Sequence, residues 1–255
     1  MNKSKLQKEG KKWIEADIIS EEQLEQILAL YSKKDPHFVL TVFAILLTGL
    51  GFITFIFSDW AQVPHISRVL IVIIVMLGLY ITGDILHRKG SILYGVSFIL
   101  LGYIVFMAGL FLTIHIYQVS LFSAWPLGIC SLVGMLLYAL YEHRFLFVVG
   151  IGVLTIGQIY SGINFHSFDM WLFIFLMLGF TYFTYRHVHV LYSYLLAASF
   201  SIHVLVFVLT GDYQYYWLIV GFLLLYLIGL FDIKPALKQA FRHVSLLSIF
   251  LFGMF

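Results

Sequence analysis

Long runs of hydrophobic residues, separated by short polar stretches, follow one another from His37 to the end of the chain. About 20 consecutive apolar residues let a helix cross the hydrocarbon of a bilayer. Eight runs approach or exceed this length, and a ninth, which begins near Val244, has only twelve residues before Phe255. The ninth run is typical of an interfacial tail or of a span that is cut short, and we favour the second. The eight predicted spans cover residues 37–57, 68–86, 91–116, 121–141, 145–163, 168–185, 190–209 and 215–231.

Residues 1–36 form the only extended polar stretch, with seven lysines and seven acids. Ser20 and Gln23 have the spacing of a capping box, which predicts a helix from Glu21. An earlier helical turn, around Leu6, Trp13 and Ile14, is expected to pack against this helix as a small hairpin. The hairpin could be a cap on the membrane domain or a docking site for a cytoplasmic protein. Its apolar face consists of Leu24, Ile27, Leu28 and Tyr31.

Composition excludes a soluble globular protein, because 62% of the residues are hydrophobic and only 11% are charged. Cys130 is the single cysteine, so the chain cannot form an intramolecular disulfide or a CxxC motif. A net charge of +2 gives no reason to expect nucleic-acid binding. The predicted fold is therefore all-α: a cytoplasmic helical hairpin at 1–36 and a polytopic transmembrane helical bundle at 37–255, with the lipid bilayer as its solvent.

Lysine and arginine are distributed unevenly among the loops, and this predicts orientation. Fourteen of the fifteen lie in the N-terminal stretch and in alternate connections near Arg88, Arg144, Arg186 and Lys238. The intervening loops have none, and only Arg68 borders one of them. Because basic residues are retained on the cytoplasmic side, the N terminus is predicted to be inside, in a cell (inner) membrane.

Polar and aromatic residues gather at the opposite, outer side. Three acids face one arginine there, so this rim could bind a cation or a polar headgroup between aromatic rings. An ordinary interfacial aromatic belt explains the same residues. Asp59 and Arg68 are close enough in sequence to form a salt bridge across the first outer loop. The candidate residues are Asp59, Trp60, His65, Arg68, His115, Tyr117, Gln118, Trp125, Asp169 and Asp212.

No Lys, Arg, Asp or Glu lies in the middle of a predicted span. Proton relays and ion-coupled carriers usually need such residues, so the sequence argues against both functions. Asp84 lies four residues before Arg88, a spacing that predicts a surface ion pair. His187 and His189 are expected to be solvated in the tight turn after the sixth span. His203 lies near the centre of the seventh span, where either a hydrogen bond to another helix or a proton-handling or ligand role would account for it.

Two regular spacings concern helix packing. Gly95, Gly102 and Gly109 recur at intervals of seven and predict close approach of a neighbouring helix. Trp125, Trp171 and Trp217 are 46 residues apart, and each begins a span on the outer side. Either a repeated helical hairpin or simple loop geometry gives the second spacing.

No catalytic or metal motif is present: the chain has no P-loop, GxSxG, HExxH or EF-hand sequence. We therefore expect no enzyme activity, no cofactor and no metal.

Three segments resemble a known family, the bacterial predicted membrane proteins catalogued as domain of unknown function 2157. They are residues 13–23 (WIEADIISEEQ), residues 58–64 (SDWAQVP) with Arg68 beyond, and residues 114–125, which contain IHIYQ and LFSAW. The likeness covers about residues 10–145. Asp17 and Asp59 stand where the family often has Gly and Asn. The resemblance implies a membrane protein with a cytoplasmic N-terminal helical segment and no established activity.

Three functions remain after these arguments. The first is a structural, interaction or sensing membrane protein that docks a cytoplasmic partner through residues 1–36. The second is a carrier or channel for a small solute, entered through the outer rim, with His203 as a deeper contact. A lipid-modifying enzyme is third, since neither interface has a charged cluster able to hold a metal or pyrophosphate. Self-association remains open.

Overall fold

The computed structural model describes most of the chain from Val63 onward and scattered parts before it. Within the described part every regular element is helical, which confirms the all-α prediction. The chain divides into two compact units, residues 1–51 and 52–255. The domain boundary predicted at residue 36 lies outside the described residues and stays a prediction. The described residues are 9–10, 12–14, 18–24, 40, 43–44, 47–51, 54, 63–211, 213–231 and 234–252.

Eight helices follow Pro64 in the described part of the chain. Their starts are marked by residues that suit a helix N-terminus: Pro64 before α1, Pro126 in the first turn of α3, and a side chain that accepts a backbone N–H before α4, α5 and α6. The helices are α1 (His65–Arg88), α2 (Ile92–Ile116), α3 (Trp125–Tyr141), α4 (Arg144–Phe165), α5 (Met170–Arg186), α6 (Val190–Thr210), α7 (Tyr216–Ile228) and α8 (Pro235–Phe252).

Helices α1 and α2 form a tightly packed antiparallel hairpin. A methyl group placed at Gly95 would lie 2.6 Å from the backbone nitrogen of His87, and one at Gly109 would lie 2.5 Å from the Val72 side chain. Gly102 faces Tyr80 between these two points. The glycines spaced by seven residues therefore all face α1, which confirms that this stripe serves helix packing.

Helices α3 to α8 surround the main core. Its fully buried side chains are aliphatic and aromatic, including Phe147, Leu154, Leu176, Leu196 and Phe222. Helices α3 and α4 cross closely at Gly134 and Gly150: a methyl group at Gly134 would lie 3.0 Å from the Gly150 Cα atom. The bundle is thus held together by close backbone approach and by interlocked apolar side chains.

The N-terminal unit confirms the predicted capping box. The Ser20 Oγ atom accepts from the Gln23 N–H at 3.2 Å, and the Gln23 side chain accepts from the Ser20 N–H at 3.0 Å. The helix begins at Glu21. Leu24 is buried and lies against Gly10, so the two helical turns contact each other as a hairpin. Ile27, Leu28 and Tyr31 lie outside the described residues.

One boundary prediction is wrong. The last helix begins at Pro235, nine residues before Val244, so Lys238 and Arg242 belong to a helix instead of a loop. Proline fits the first turn of a helix, and the residues that follow, Ala236 to Gln239, are good helix formers. Counting only apolar residues placed the start too late.

Four helices, α1, α2, α4 and α6, are long and apolar enough to cross a membrane. Helices α3, α5 and α7 are apolar but shorter. Helix α5 contains a π-helical segment at Phe175–Phe180, where the Thr181 hydroxyl donates to the Leu176 carbonyl at 3.0 Å. Such single-turn widenings of an α-helix cannot be read from hydrophobic periodicity.

Alternate connections of the α1–α8 bundle lie at the same end. We call the end that contains residues 84–91, 138–144, 185–194 and 226–243 the basic end, since all seven lysines and arginines after Arg68 lie there. Contacts between these segments include Tyr141 to Asp84, Tyr138 to His187 and Tyr194 to His243. The opposite end contains residues 115–125, 160–171, 207–211 and 213–217.

Candidate functional site

The structure places several of the outer-rim candidates at the opposite end without joining them into a site. His65 is exposed at the start of α1, and the Arg68 side chain donates to the Val63 carbonyl at 2.9 Å. No side-chain hydrogen bond joins any two of His115, Tyr117, Gln118, Trp125 and Asp169. Asp59, Trp60 and Asp212 lie outside the described residues, so the Asp59–Arg68 ion pair stays a prediction.

A cleft of about 580 Å³ lies at the end of α2. His115 and Gln118 supply its polar lining, and Phe111, Ile114 and Val119 supply the apolar part. Gln118 has a φ of 47°, a left-handed conformation that is typical of the residues that end a helix. The described lining residues belong to α2 or follow it directly, and His203 is not among them.

Asp169 is buried, in contrast to its predicted place on an open acidic rim. Its carboxylate accepts from the Trp171 N–H at 3.2 Å and so caps α5. The amide of buried Gln158, oriented to satisfy both groups, donates to the Asp169 carbonyl and accepts from the Asp169 N–H, each at 3.1 Å. These bonds fix the start of α5 against α4, which is a structural role.

His203 is buried in the middle of α6 with 1% of its surface exposed. Its Nδ1 atom donates to the Ser199 carbonyl at 2.8 Å, one turn earlier in the same helix. The sequence analysis had considered a hydrogen bond to another helix, and Nδ1 does not make one. This bond places the ring proton on Nδ1 and leaves Nε2 as an acceptor, which has no hydrogen-bond donor among the described residues. The rings of Phe168 and Phe173 lie 6.3 and 6.0 Å from the imidazole.

The basic end contains a polar cluster that the sequence analysis did not assemble. Arg88 pairs with Asp84 at 2.7 Å, which confirms the predicted ion pair. The Tyr141 hydroxyl donates to the same carboxylate at 3.2 Å, and the Tyr141 ring packs edge-on against His87 at 5.2 Å. These contacts join the end of α1 to the end of α3.

His187 lies between two partners, one at the end of α3 and one directly after it, and is half-buried, although it was expected to be solvated. Its Nδ1 atom is 3.3 Å from the Tyr138 hydroxyl, and its Nε2 atom is 3.6 Å from a Glu142 carboxylate oxygen. Tyr138 is itself fully buried against Phe147 and Tyr192. The short turns after α3 and α5 bring these residues together. The sequence indicated that these two turns lie at the same end, because basic residues occur in alternate loops.

His143, beside this cluster, caps α4 by accepting from the Phe145 N–H at 3.5 Å. Burial lowers the pKa of His143 below its ordinary value of 6.5, and the positive charge of Arg144 and the neighbouring His87 lower this pKa further. His143 is thus held in the neutral form that can accept a hydrogen bond. Among the described residues, no group of three or more His, Cys, Asp or Glu side chains could hold a metal ion.

Comparison with known proteins defines the chain's family. The sequence profile of the predicted membrane protein family DUF2157 matches residues 11–147, more than half of the chain. The chain belongs to the DUF2157 family. The part that matches this family contains most of the N-terminal hairpin, helices α1 to α3 and the first residues of α4. No curated protein and no solved structure matches the chain.

Membership of DUF2157 establishes a membrane protein of unknown function. Asp84, Arg88, Tyr138, Tyr141 and Glu142 of the basic-end cluster lie within the region that matches the family, whereas His187 lies beyond it. The family description assigns no reaction, ligand or partner to any of these residues.

Proposed function

We propose that this DUF2157 protein is a non-enzymatic membrane scaffold or sensor. Its N-terminal hairpin docks a soluble cytoplasmic protein, and its helices cross the inner membrane with the basic end inside. Residues 37–57 and helices α1 to α7 supply eight spans. The observation that carries the scaffold proposal is the packed interior around His203, where phenylalanine rings surround a histidine that bonds to its own helix.

The shorter helices are compatible with crossing. Helix α3 has 17 residues and a length of about 25 Å at a rise of 1.5 Å per residue. It runs between neighbours that are long enough to span, and the connections at its two ends lie at opposite ends of the bundle. A membrane that covers α2 and α4 therefore also covers α3, and the same argument extends to α5.

The N-terminal hairpin supports docking through a surface that differs from the predicted one. Leu24 is buried within the hairpin, whereas 67% of the Ile18 surface is exposed. Ile18 lies in the turn between the two helical segments, two residues before Ser20, which begins the capping box of the second one. An exposed branched apolar side chain on a preorganised turn is suited to contact with a protein partner.

Photocrosslinking in intact cells tests this function, with a crosslinkable amino acid at Ile18 and, as a matched control, at buried Leu24. We expect the same soluble protein to be captured from position 18 in repeated experiments and not from position 24. Capture of only the chain's own segments from position 18 would reduce the hairpin to a cap on the membrane domain.

A carrier for a small solute is the second candidate, and the cleft beside His115 and Gln118 favours it. Transport would need this cleft to connect with the interior near His203. Among the described residues its lining comes from residues 111–119, and none of it belongs to α6, which supports the scaffold over the carrier.

A further inference from the structure

A second cleft, of about 340 Å³, opens at the basic end beside the first turns of α8. Pro235, Lys238, Gln239, Arg242 and His243 line it. Their spacing of three and four residues puts them on one face of the helix. The volume is within the range of small-ligand sites, and the lining is cationic and rich in hydrogen-bond donors.

The positive charges of this cleft are not neutralised by the described part of the chain. Lys238 and Arg242 form no ion pair there; Asp232, two residues before Lys234, lies outside the described residues. Arg242 lies 6.0 Å from the centre of the Tyr226 ring, which orients its guanidinium group. A guanidinium and an ammonium group on adjacent turns suit the binding of a phosphate group.

The position of the cleft along α8 distinguishes a lipid phosphate from one in free solution. After His243 the described part of the helix contains no charged residue, and Leu246, Leu247, Phe250 and Leu251 are exposed. The opposite face, at Leu237, Ala240 and Phe241, is buried against the bundle. The cleft therefore lies where the polar part of the helix changes to the apolar part, as expected at the level of lipid headgroups.

Aromatic side chains around the cleft also indicate that it lies at the level of the lipid headgroups. The Tyr194 hydroxyl is 2.7 Å from His243 Nδ1, and the Tyr185 ring lies 4.5 Å from the Lys234 ammonium group, which also donates to the Tyr185 carbonyl. Tyrosines with their hydroxyl groups among cations are typical of the interface between membrane and water. Acyl chains of a lipid bound here would lie along the exposed leucines of α8.

We propose that this cleft binds the phosphate group of an anionic phospholipid. Arg242 and Lys238 hold the phosphate oxygens, and the Gln239 amide donates to the polar headgroup. The site is independent of the N-terminal docking proposed above. It lies beyond residue 147, so family membership gives no information about it.

Native mass spectrometry of the purified full chain tests the site, with delipidated protein titrated with phosphatidylglycerol or phosphatidylcholine. We expect tighter retention of phosphatidylglycerol. Each basic residue near an anionic surface contributes on the order of 1 kcal/mol, so Lys238→Gln with Arg242→Gln should weaken retention roughly 30-fold. The charge-conserving pair Lys238→Arg with Arg242→Lys should retain most of the binding.

A matched control distinguishes binding at this cleft from attraction of the lipid to the positive charge of the whole basic end. Lys89→Gln with Arg144→Gln removes the same charge from the same end and should leave phosphatidylglycerol retention within about twofold of wild type. Equal loss in this control, or equal binding of the two lipids by wild type, would overturn the proposal. Displacement of phosphatidylglycerol by millimolar inorganic phosphate would also overturn it and would assign the cleft to a soluble anion.

Discussion

At the scale of single residues, the buried hydroxyl groups of the bundle mostly donate to the carbonyl one turn earlier in their own helix. These bonds satisfy the donor without fixing a neighbouring helix. Fewer of these hydroxyl groups bond between helices, as Tyr103 does to the Cys130 carbonyl at 2.6 Å, Ser131 to the Gly150 carbonyl at 3.2 Å, and Ser199 to the Thr155 hydroxyl oxygen at 2.8 Å. Register between helices therefore depends mainly on packing. The own-helix donors include Ser97, Thr113, Thr184, Thr210 and Ser245.

His203 gives a prediction at this scale. A buried acceptor without a partner costs about 1–3 kcal/mol, and Nε2 is such an acceptor. We expect His203→Leu to increase the free energy of unfolding by about 1 kcal/mol, because Leu fills the site without a polar atom. His203→Ala should lower it by about 2 kcal/mol through the cavity it leaves. Thermal unfolding in detergent measures both.

The same comparison distinguishes a packed interior from a functional one. If His203→Leu unfolds at a lower temperature than wild type, Nε2 accepts a hydrogen bond from a solute or water in the functional protein. That result would favour the carrier over the scaffold.

At the scale of helices, sequence patterns predicted the residues that pack but not all of their boundaries or caps. The glycine stripe of α2 could be predicted because only glycine permits backbone contact at every second turn. The starts of α4 and α6 are capped by His143 and His189, which are not among the usual capping residues, so sequence rules did not single them out. The basic-end cluster depends on contacts between helices that are distant in sequence, which periodicity does not contain.

The α1–α2 hairpin is sensitive to one methyl group. Gly95→Ala would place a carbon 2.6 Å from backbone atoms of His87, which cannot move aside as a flexible side chain can. We expect it to lower the free energy of unfolding by about 1–3 kcal/mol, in the range of overpacked cores. Gly78→Ala in α1 is the matched control, because nothing lies within 4 Å of the added methyl group.

The control should unfold at or slightly above the wild-type temperature, since alanine favours a helix more than glycine does. Equal unfolding temperatures for Gly95→Ala and Gly78→Ala would show that α1 and α2 do not pack through the glycine stripe in the membrane protein.

The cap of α4 predicts a dependence on pH. Because the folded protein holds the His143 pKa below 6.5, the unfolded chain binds more protons below that pH. Stability should therefore fall as the pH decreases from about 6.5, and it should be fully present above this value. His143→Asn keeps a capping side chain but cannot titrate, so its unfolding temperature should change less between pH 7 and pH 5.

His166→Asn, at an exposed position that ends α4, serves as the control for this measurement and should keep the wild-type response. An unchanged pH response in His143→Asn would show that the His143 cap does not cause the effect.

At the scale of the whole molecule, helices α3 to α8 form three successive hairpins of similar length. Trp125, Trp171 and Trp217 lie at the start of α3, α5 and α7, and His143, His189 and Pro235, also 46 residues apart, mark the start of α4, α6 and α8. A repeated hairpin and simple loop geometry both give this spacing in the two helices of each pair, so the two alternatives stay open. The order of the helices could be predicted from the hydrophobic runs, and the two ends of the bundle from the basic residues. The two clefts could not be predicted, since they depend on where side chains lie.

Orientation in the membrane is the last prediction, and it concerns the whole chain. In a Cys130→Ser background, single cysteines at Ser120 and Gln214 of the opposite end should react with an impermeant maleimide added to intact cells. Cysteines at Lys89 and Val188 of the basic end should react only after the membrane is permeabilised, because basic residues are retained inside. All four positions are exposed in the structure, so a difference in labelling reports the side of the membrane and not burial. Labelling of Lys89 in intact cells would place the basic end outside, and labelling that fails to alternate between positions 120, 188 and 214 would mean that α3 to α6 do not all cross.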